Sequence, residues 1–170
     1  GLRFQPGEND HLGLNESEKA TCFPTPGALA CSWDPDLIYE VASCIAREAA
    51  EKGVDVLLAP GVNIKRTPLC GRNFEYFSED PHLAAELGAA YVKGLQENGI
   101  GSCIKHFALN NQEAYRMSVD VWVDERALNE IYFKVFREII QKAKPWAVMA
   151  AYNRLLGDYC CENKWLLTDV

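Results

Sequence analysis

Lys105 and His106 close an apolar run that begins at Cys103-Ile104, and Asn110-Asn111-Gln112-Glu113 follow within a few residues. A strand buried in a sheet core gains nothing from an ammonium beside an imidazole. A surface that grips a ligand rich in hydroxyl groups gains a great deal. Lysine and arginine supply charge-assisted donors, roughly twice as strong as neutral ones, and amides donate and accept at once. Polar groups follow other apolar runs as well: a long loop containing Gly71-Arg72-Asn73 comes after 54–59, and Tyr152-Asn153-Arg154 comes after Ala151. Glu75, three residues after Arg72, reads as a brace for that arginine or its loop. Strand neighbours point to opposite faces. For Lys105 and His106 to share one ligand, the backbone at 105–107 must leave regular geometry, by a bulge, a strained dihedral or a non-proline cis bond.

Three helices must position these groups. Asp34-Pro35 and Asp80-Pro81 each pair an N-cap with proline at the first helical position. Ile38, Val41, Ala42, Ile45 and Ala49 recur at helical spacing after the first, up to Gly53. Leu83, Leu87, Tyr91 and Leu95 do so after the second, up to Asn98-Gly99. Asp124 caps a third, with Leu128, Ile131, Val135 and Ile139 on one face. Each helix is followed by a short apolar run, 54–59, 100–104 and 146–151. The runs lack clean alternation and read as strands buried on both faces, as in a parallel sheet. Asn163 opens a further helix. Repeated βα units define a parallel α/β fold, either doubly wound or a (β/α)8 barrel. Polar groups at the C-terminal end of every strand favour the barrel, since an open sheet concentrates them at one switch point. A full barrel needs about 250 residues, so the expectation is a partial (β/α)8 TIM-type barrel, about half present.

The 170 residues suffice for one domain with a core. A net charge of −7 and the lack of a basic block argue against nucleic acid. No apolar run approaches the ~20 residues of a membrane span. Glycine patterns for dinucleotides or a P-loop are absent. Seven cysteines without a C-x-x-C pair disfavour structural zinc and read as free thiols of a reducing, cytoplasmic compartment. The four tryptophans (Trp33, Trp122, Trp146, Trp165) read as helix-boundary or core residues, and His11 and His82 as solvent-facing. The chain starts at Gly1 without methionine and stops within Leu-Leu-Thr-Asp-Val, so both ends read as cut.

The segment GRNFEYFSEDP (71–81), with IKHFALNNQE (104–113), RMSVD (116–120), VMAAYN (148–153) and ENKWLLTDV (162–170), resembles glycoside hydrolase family 3. More narrowly it is similar to the N-terminal barrel of bacterial β-glucosidases, and the resemblance runs in order along essentially the whole chain. It implies a barrel followed by an α/β sandwich domain, and retaining hydrolysis of terminal, non-reducing β-D-glucosyl residues. It also implies substrate-binding roles for Arg72, Lys105, His106, Arg116 and Tyr152. No metal or cofactor is implied, because two carboxylates suffice for the chemistry. Neither carboxylate falls within 1–170 on this reading. The nucleophile belongs to a Ser-Asp-Trp strand after the helix that starts at Trp165, and the acid/base to the later domain. The piece alone is therefore expected to be inactive, with Asp158 and Asp169 in no catalytic role. A β-xylosidase of the same family stays open, as does a degenerate, non-catalytic carbohydrate-binding piece. The family's β-N-acetylglucosaminidases carry Lys-His-Phe-Pro-Gly-His where this chain reads Lys-His-Phe-Ala-Leu-Asn, which disfavours them.

Overall fold

The computed structural model describes residues 20–170; His11 and the segment 10–19 lie outside them. Helix α1 (Pro26–Leu29) is a short lead-in, capped by the Thr25 side chain. Helix α2 (Pro35–Glu51) starts where Asp34 accepts from the backbone N–H groups of Asp36 and Leu37. Beyond it Gly53 takes φ +69°, a value open to glycine at little cost. Strand β1 (Val56–Leu57) comes next. Helix α3 (Pro81–Gln96) is capped by Asp80 and leads to strand β2 (Gly101–Phe107). The two Asp-Pro signals thus mark their helices to the residue, because cap and ring constraint act locally.

Strand β3 (Asp120–Val121) precedes the third helical stretch. That stretch comprises a first turn, α4 (Glu125–Ala127), a π-helical turn over Leu128–Tyr132, and α5 (Phe133–Ala143). The wider π turn moves the buried stripe by a residue. Leu128, Val135 and Ile139 are buried as the spacing requires, whereas Ile131 is exposed and its neighbour Tyr132 packs on the core. Strand β4 (Ala147–Ala150) closes the series, followed by strands β5 (Arg154–Leu155) and β6 (Asp158–Tyr159).

The main sheet has the order β1-β2-β4 and is parallel throughout. Parallel neighbours need a crossover, and α3 and α4–α5 supply them. Only β2 is buried nearly throughout. Val56 and Val148 are exposed on the flanking strands, so the expectation of three strands buried on both faces fails for β1 and β4. Each has a strand on one side only, among the described residues. Ile38, Ala42, Leu87, Leu95, Ile104 and Ile139 centre the core between helices and sheet. A side chain at Gly94 would meet the Tyr39 carbonyl at 2.5 Å, so glycine lets α3 approach α2.

A second, small sheet has the order β3-β5-β6. Its hairpin turns through Leu156 and Gly157, both at positive φ, as two-residue hairpin loops require. None of the four tryptophans is in the core. Trp33 and Trp165 stand at helical boundaries, and Trp122 lies outside while its indole N–H donates to Asp120 at 3.0 Å. The residues after Asn163 form one π turn, Trp165–Asp169, with Asn163 Oδ1 accepting from Leu166 N–H.

Candidate functional site

The site is built at the C-terminal end of β2. The segment after β1 extends that strand's side of the sheet. Lys105 N–H donates to the Pro60 carbonyl at 3.1 Å, and Val62 N–H to the Lys105 carbonyl at 2.7 Å. On the other side, Ala151 N–H donates to Phe107 O at 2.7 Å. Between these anchors β2 departs from regular geometry. Its register against β4 shifts between Lys105 and Phe107, and the Lys105-His106 and Phe107-Ala108 peptide bonds are cis. The expected irregularity is therefore present, and Lys105 and His106 both contact the Glu75-Tyr76 segment.

Lys105 Nζ lies 3.1 Å from Glu75 Oε2. The other oxygen of Glu75 accepts from Arg72 Nε. Burial works to raise the Glu75 carboxyl, but the Arg72 bond and the Lys105 charge outweigh it and hold the group below its ordinary value. Glu75 is thus a brace, ionised and gripping two cations. His106 Nδ1 lies 3.2 Å from the Tyr76 hydroxyl and 3.3 Å from Asn63 Oδ1. The Asn63 side chain also clamps the His106 backbone. It donates to His106 O and accepts from His106 N–H, each at 2.9 Å.

Tyr76 extends the network. Asn110 Nδ2 donates to its hydroxyl at 3.1 Å and to Glu113 Oε1 at 3.1 Å. Glu113 in turn accepts from Arg116 at 2.8 Å, and the Arg116 guanidinium lies 5.3 Å from the Tyr152 ring centroid. The five residues singled out in the sequence thus fall in two adjoining sets, Arg72 and Lys105 around Glu75, and His106, Arg116 and Tyr152 along the Tyr76–Asn110–Glu113 line, and the chain steps Glu75-Tyr76 and Lys105-His106 bring the sets together. Lys105 and His106 are the inner members, and Tyr152 is half exposed at 53%. The sequence marks the connectors Asn110 and Glu113 only as part of a polar stretch after β2, and assigns no role to Asn63 and Tyr76. No spacing rule links them; only the fold puts the 71–76 loop against the end of β2. Cation chemistry dominates the cluster, with no metal-type grouping in it. Among the described residues the one such grouping is His82, Glu86 and Glu138, where Lys142 already binds both carboxylates.

Burial and the nearby charges of Arg72 and Lys105 push the His106 pKa down from 6.5 to about 3. The ring is neutral at working pH. The unfolded chain binds this proton below pH 6.5 and the folded chain does not. Stability is then complete above 6.5 and falls as pH drops toward about 3. A tenfold change in proton affinity is worth about 1.4 kcal/mol, so the loss amounts to several kcal/mol. Chemical denaturation at stepped pH should show this decline in the protein and a flatter profile in His106→Gln. Equal slopes in the two would contradict the assignment.

Gly61 is wedged between the Lys105 and Tyr76 segments, bridging both. A Cβ there would sit 2.9 Å from Tyr76 Cδ1 and 3.0 Å from the Glu75 carbonyl. Gly61→Ala must push the bracing loop outward. It is expected to reduce ligand binding at least tenfold, about 1.4 kcal/mol, in a titration of the complete protein with a hydroxyl-rich ligand. Unchanged binding would show that the loop has slack.

An apolar groove of about 360 Å³ lies elsewhere, lined by Phe133, Phe136, Ile140, Leu166 and Leu167 among others. It contains none of the five residues.

A (β/α)-type succession with a polar cluster at a strand's C-terminal end defines the class of parallel α/β proteins that place their sites at that end of the sheet. Residues 8–170 match the glycosyl hydrolase family 3 N terminal domain, and the chain belongs to that family. It is 55% identical over 170 residues to thermostable beta-glucosidase B of Acetivibrio thermocellus, covering all of this chain and 22% of that protein. It is 51% identical over 169 residues to an exo-alpha-(1->6)-L-arabinopyranosidase of Bifidobacterium breve, covering 99% of this chain and 22% of that protein. Among solved structures, beta-glucosidase 3B of Thermotoga neapolitana in complex with glucose superposes with a TM-score of 0.90 at 52% identity. That match covers 100% of this chain and 23% of the other. The chain thus spans about a fifth of the length of these relatives. No helix among the described residues is long and apolar enough to cross a membrane.

Proposed function

We propose that this chain is the sugar-gripping part of a retaining β-glucosidase that releases terminal, non-reducing β-D-glucosyl residues. The observation that carries the reading is a pair of adjoining networks, Arg72–Glu75–Lys105 and His106–Tyr76–Asn110–Glu113–Arg116, held side by side because Glu75-Tyr76 and Lys105-His106 are chain neighbours. Glucose is uncharged, so its recognition rests on directional hydrogen bonds, and these networks present fixed cationic donors for them. Bonds to hydroxyls that tighten as oxocarbenium character develops lower the barrier as well as the ground state. Support also comes from the 52% identical enzyme that binds glucose.

On this reading, residues 1–170 form about half of a (β/α)8 barrel. The open sides of β1 and β4 take the missing strands. The nucleophilic aspartate and the acid/base lie outside these residues, and the piece alone is inactive. Arg72, Lys105, His106, Arg116 and Tyr152 bind the sugar, no cofactor takes part, and the seven free thiols favour a cytoplasmic setting.

The arabinopyranosidase relative, almost as similar, favours a second reading with a pentopyranoside substrate in the same site. The test is the rate of 4-nitrophenol release by the complete protein from its β-D-glucoside, β-D-xyloside and α-L-arabinopyranoside. The glucoside is expected to have the highest kcat/KM. Preference for the arabinopyranoside would replace the first reading with the second, and no release from any of the three would reject both.

A further inference from the structure

We propose that Tyr76 is a positioning residue that fixes His106 as the Nε2–H tautomer, making the ring a hydrogen-bond donor to the bound ligand. The inference rests on the sugar-site reading for its ligand, but the tautomer follows from the network itself.

The direction of every bond in the chain is determined. The Glu113 carboxylate is paired with Arg116 at 2.8 Å and accepts along this line, so the Asn110 amide turns its nitrogen toward it, at 3.1 Å. The second N–H of that nitrogen then donates to the Tyr76 hydroxyl, at 3.1 Å. A hydroxyl has one proton. Among the described residues, the remaining partner of the Tyr76 oxygen is His106 Nδ1 at 3.2 Å. Tyr76 is 1% exposed, so water does not offer an alternative acceptor. If Nδ1 carried a proton, the Tyr76 hydroxyl proton would be stranded. A buried donor left unmade costs ~1–3 kcal/mol.

Asn63 is the competing partner. Its oxygen lies 3.3 Å from Nδ1 and would favour the opposite tautomer. That oxygen already accepts from His106 N–H at the shorter distance of 2.9 Å, and its amide nitrogen is held by His106 O. Asn63 is therefore satisfied without Nδ1, whereas Tyr76 is not satisfied without it. The ring is also neutral at working pH, so one nitrogen must be bare, and the network selects Nδ1. Nε2 has no hydrogen-bond partner among the described residues. His106 then joins Arg72, Lys105 and Arg116 as a donor, and the ligand hydroxyl facing it must accept.

The test uses the complete protein labelled with ¹⁵N-histidine, with His106→Gln identifying the His106 signals. The expected spectrum has a pyridine-type Nδ1 and a pyrrole-type Nε2. In Tyr76→Phe the ring should lose this preference and shift toward Nδ1–H, bonded to Asn63. Glucose should then bind roughly tenfold more weakly, the effect of one mismatched buried bond. Should Tyr76→Phe unfold, Asn110→Leu provides a second route, because it leaves the hydroxyl in place. The ring tautomer should then persist and glucose binding should fall by less than the roughly tenfold expected for loss of the tautomer; a pyrrole-type Nδ1 in Asn110→Leu would overturn the inference. A pyrrole-type Nδ1 in the unsubstituted protein overturns the inference, as does an unchanged ring spectrum in Tyr76→Phe. A pyridine-type Nδ1 whose signals ignore added glucose would uphold the tautomer and reject the sugar-site reading.

Discussion

Arg72→Ala is expected to lower kcat/KM of the complete protein on a β-glucoside by about a hundredfold, or ~2.7 kcal/mol of transition-state stabilisation. Two losses combine. The substitution removes a charge-assisted donor, and it takes away one of the two cations that hold Glu75. Freed on one side, the carboxylate can pull Lys105 toward itself and away from a ligand. Arg72→Lys should recover only part of the activity, since an ammonium lacks the planar fork of a guanidinium. Steady-state kinetics on both variants, with thermal unfolding to confirm the fold, check this. A change of less than threefold in Arg72→Ala would show that the arginine is only a loop brace.

Lys105→Ala should cost at least tenfold in kcat/KM, about 1.4 kcal/mol. The ammonium is largely buried and lies 3.1 Å from Glu75 Oε2, so its loss leaves Glu75 to Arg72 alone. Arg72 already satisfies the other oxygen, which limits the structural damage. Much of the effect should therefore come from the lost contact to substrate, seen as a fall in kcat together with kcat/KM if the contact tightens in the transition state. An unchanged kcat/KM would sink the assignment of Lys105 to the site.

The local signals in the sequence were sufficient where the physics is local. Asp34-Pro35 and Asp80-Pro81 mark helix starts because the cap and the proline act on the adjacent turn alone. The departure from regular strand geometry near Lys105 was legible from a conflict, two neighbours needed on one face. Where the structure depends on partners distant in sequence, the residues were silent. Nothing in Asp120-Val121 announces a strand that pairs with Arg154-Leu155. The π turn over Leu128–Tyr132 is equally invisible, since its apolar spacing fits an ordinary helix until Ile131 falls outside the core. Within the site, the cations were legible as unusual charges at strand ends. The neutral connectors Tyr76 and Asn63 were not, because a buried phenol or amide reads as packing until its partners are seen, and Asn110 was legible only as one amide in a polar stretch.

On the proposed reading the two arginines and the lysine bind without reacting, so the sugar that leaves the site decides whether they serve a retaining β-glucosidase. The most direct measurement is ¹H NMR of the first sugar released by the complete protein from a β-glucoside, read before mutarotation. β-D-Glucose should appear first and the α-anomer grow in later, with both delayed in Arg72→Ala and Lys105→Ala. Release of α-D-glucose first, or no glucose at all, would contradict that assignment.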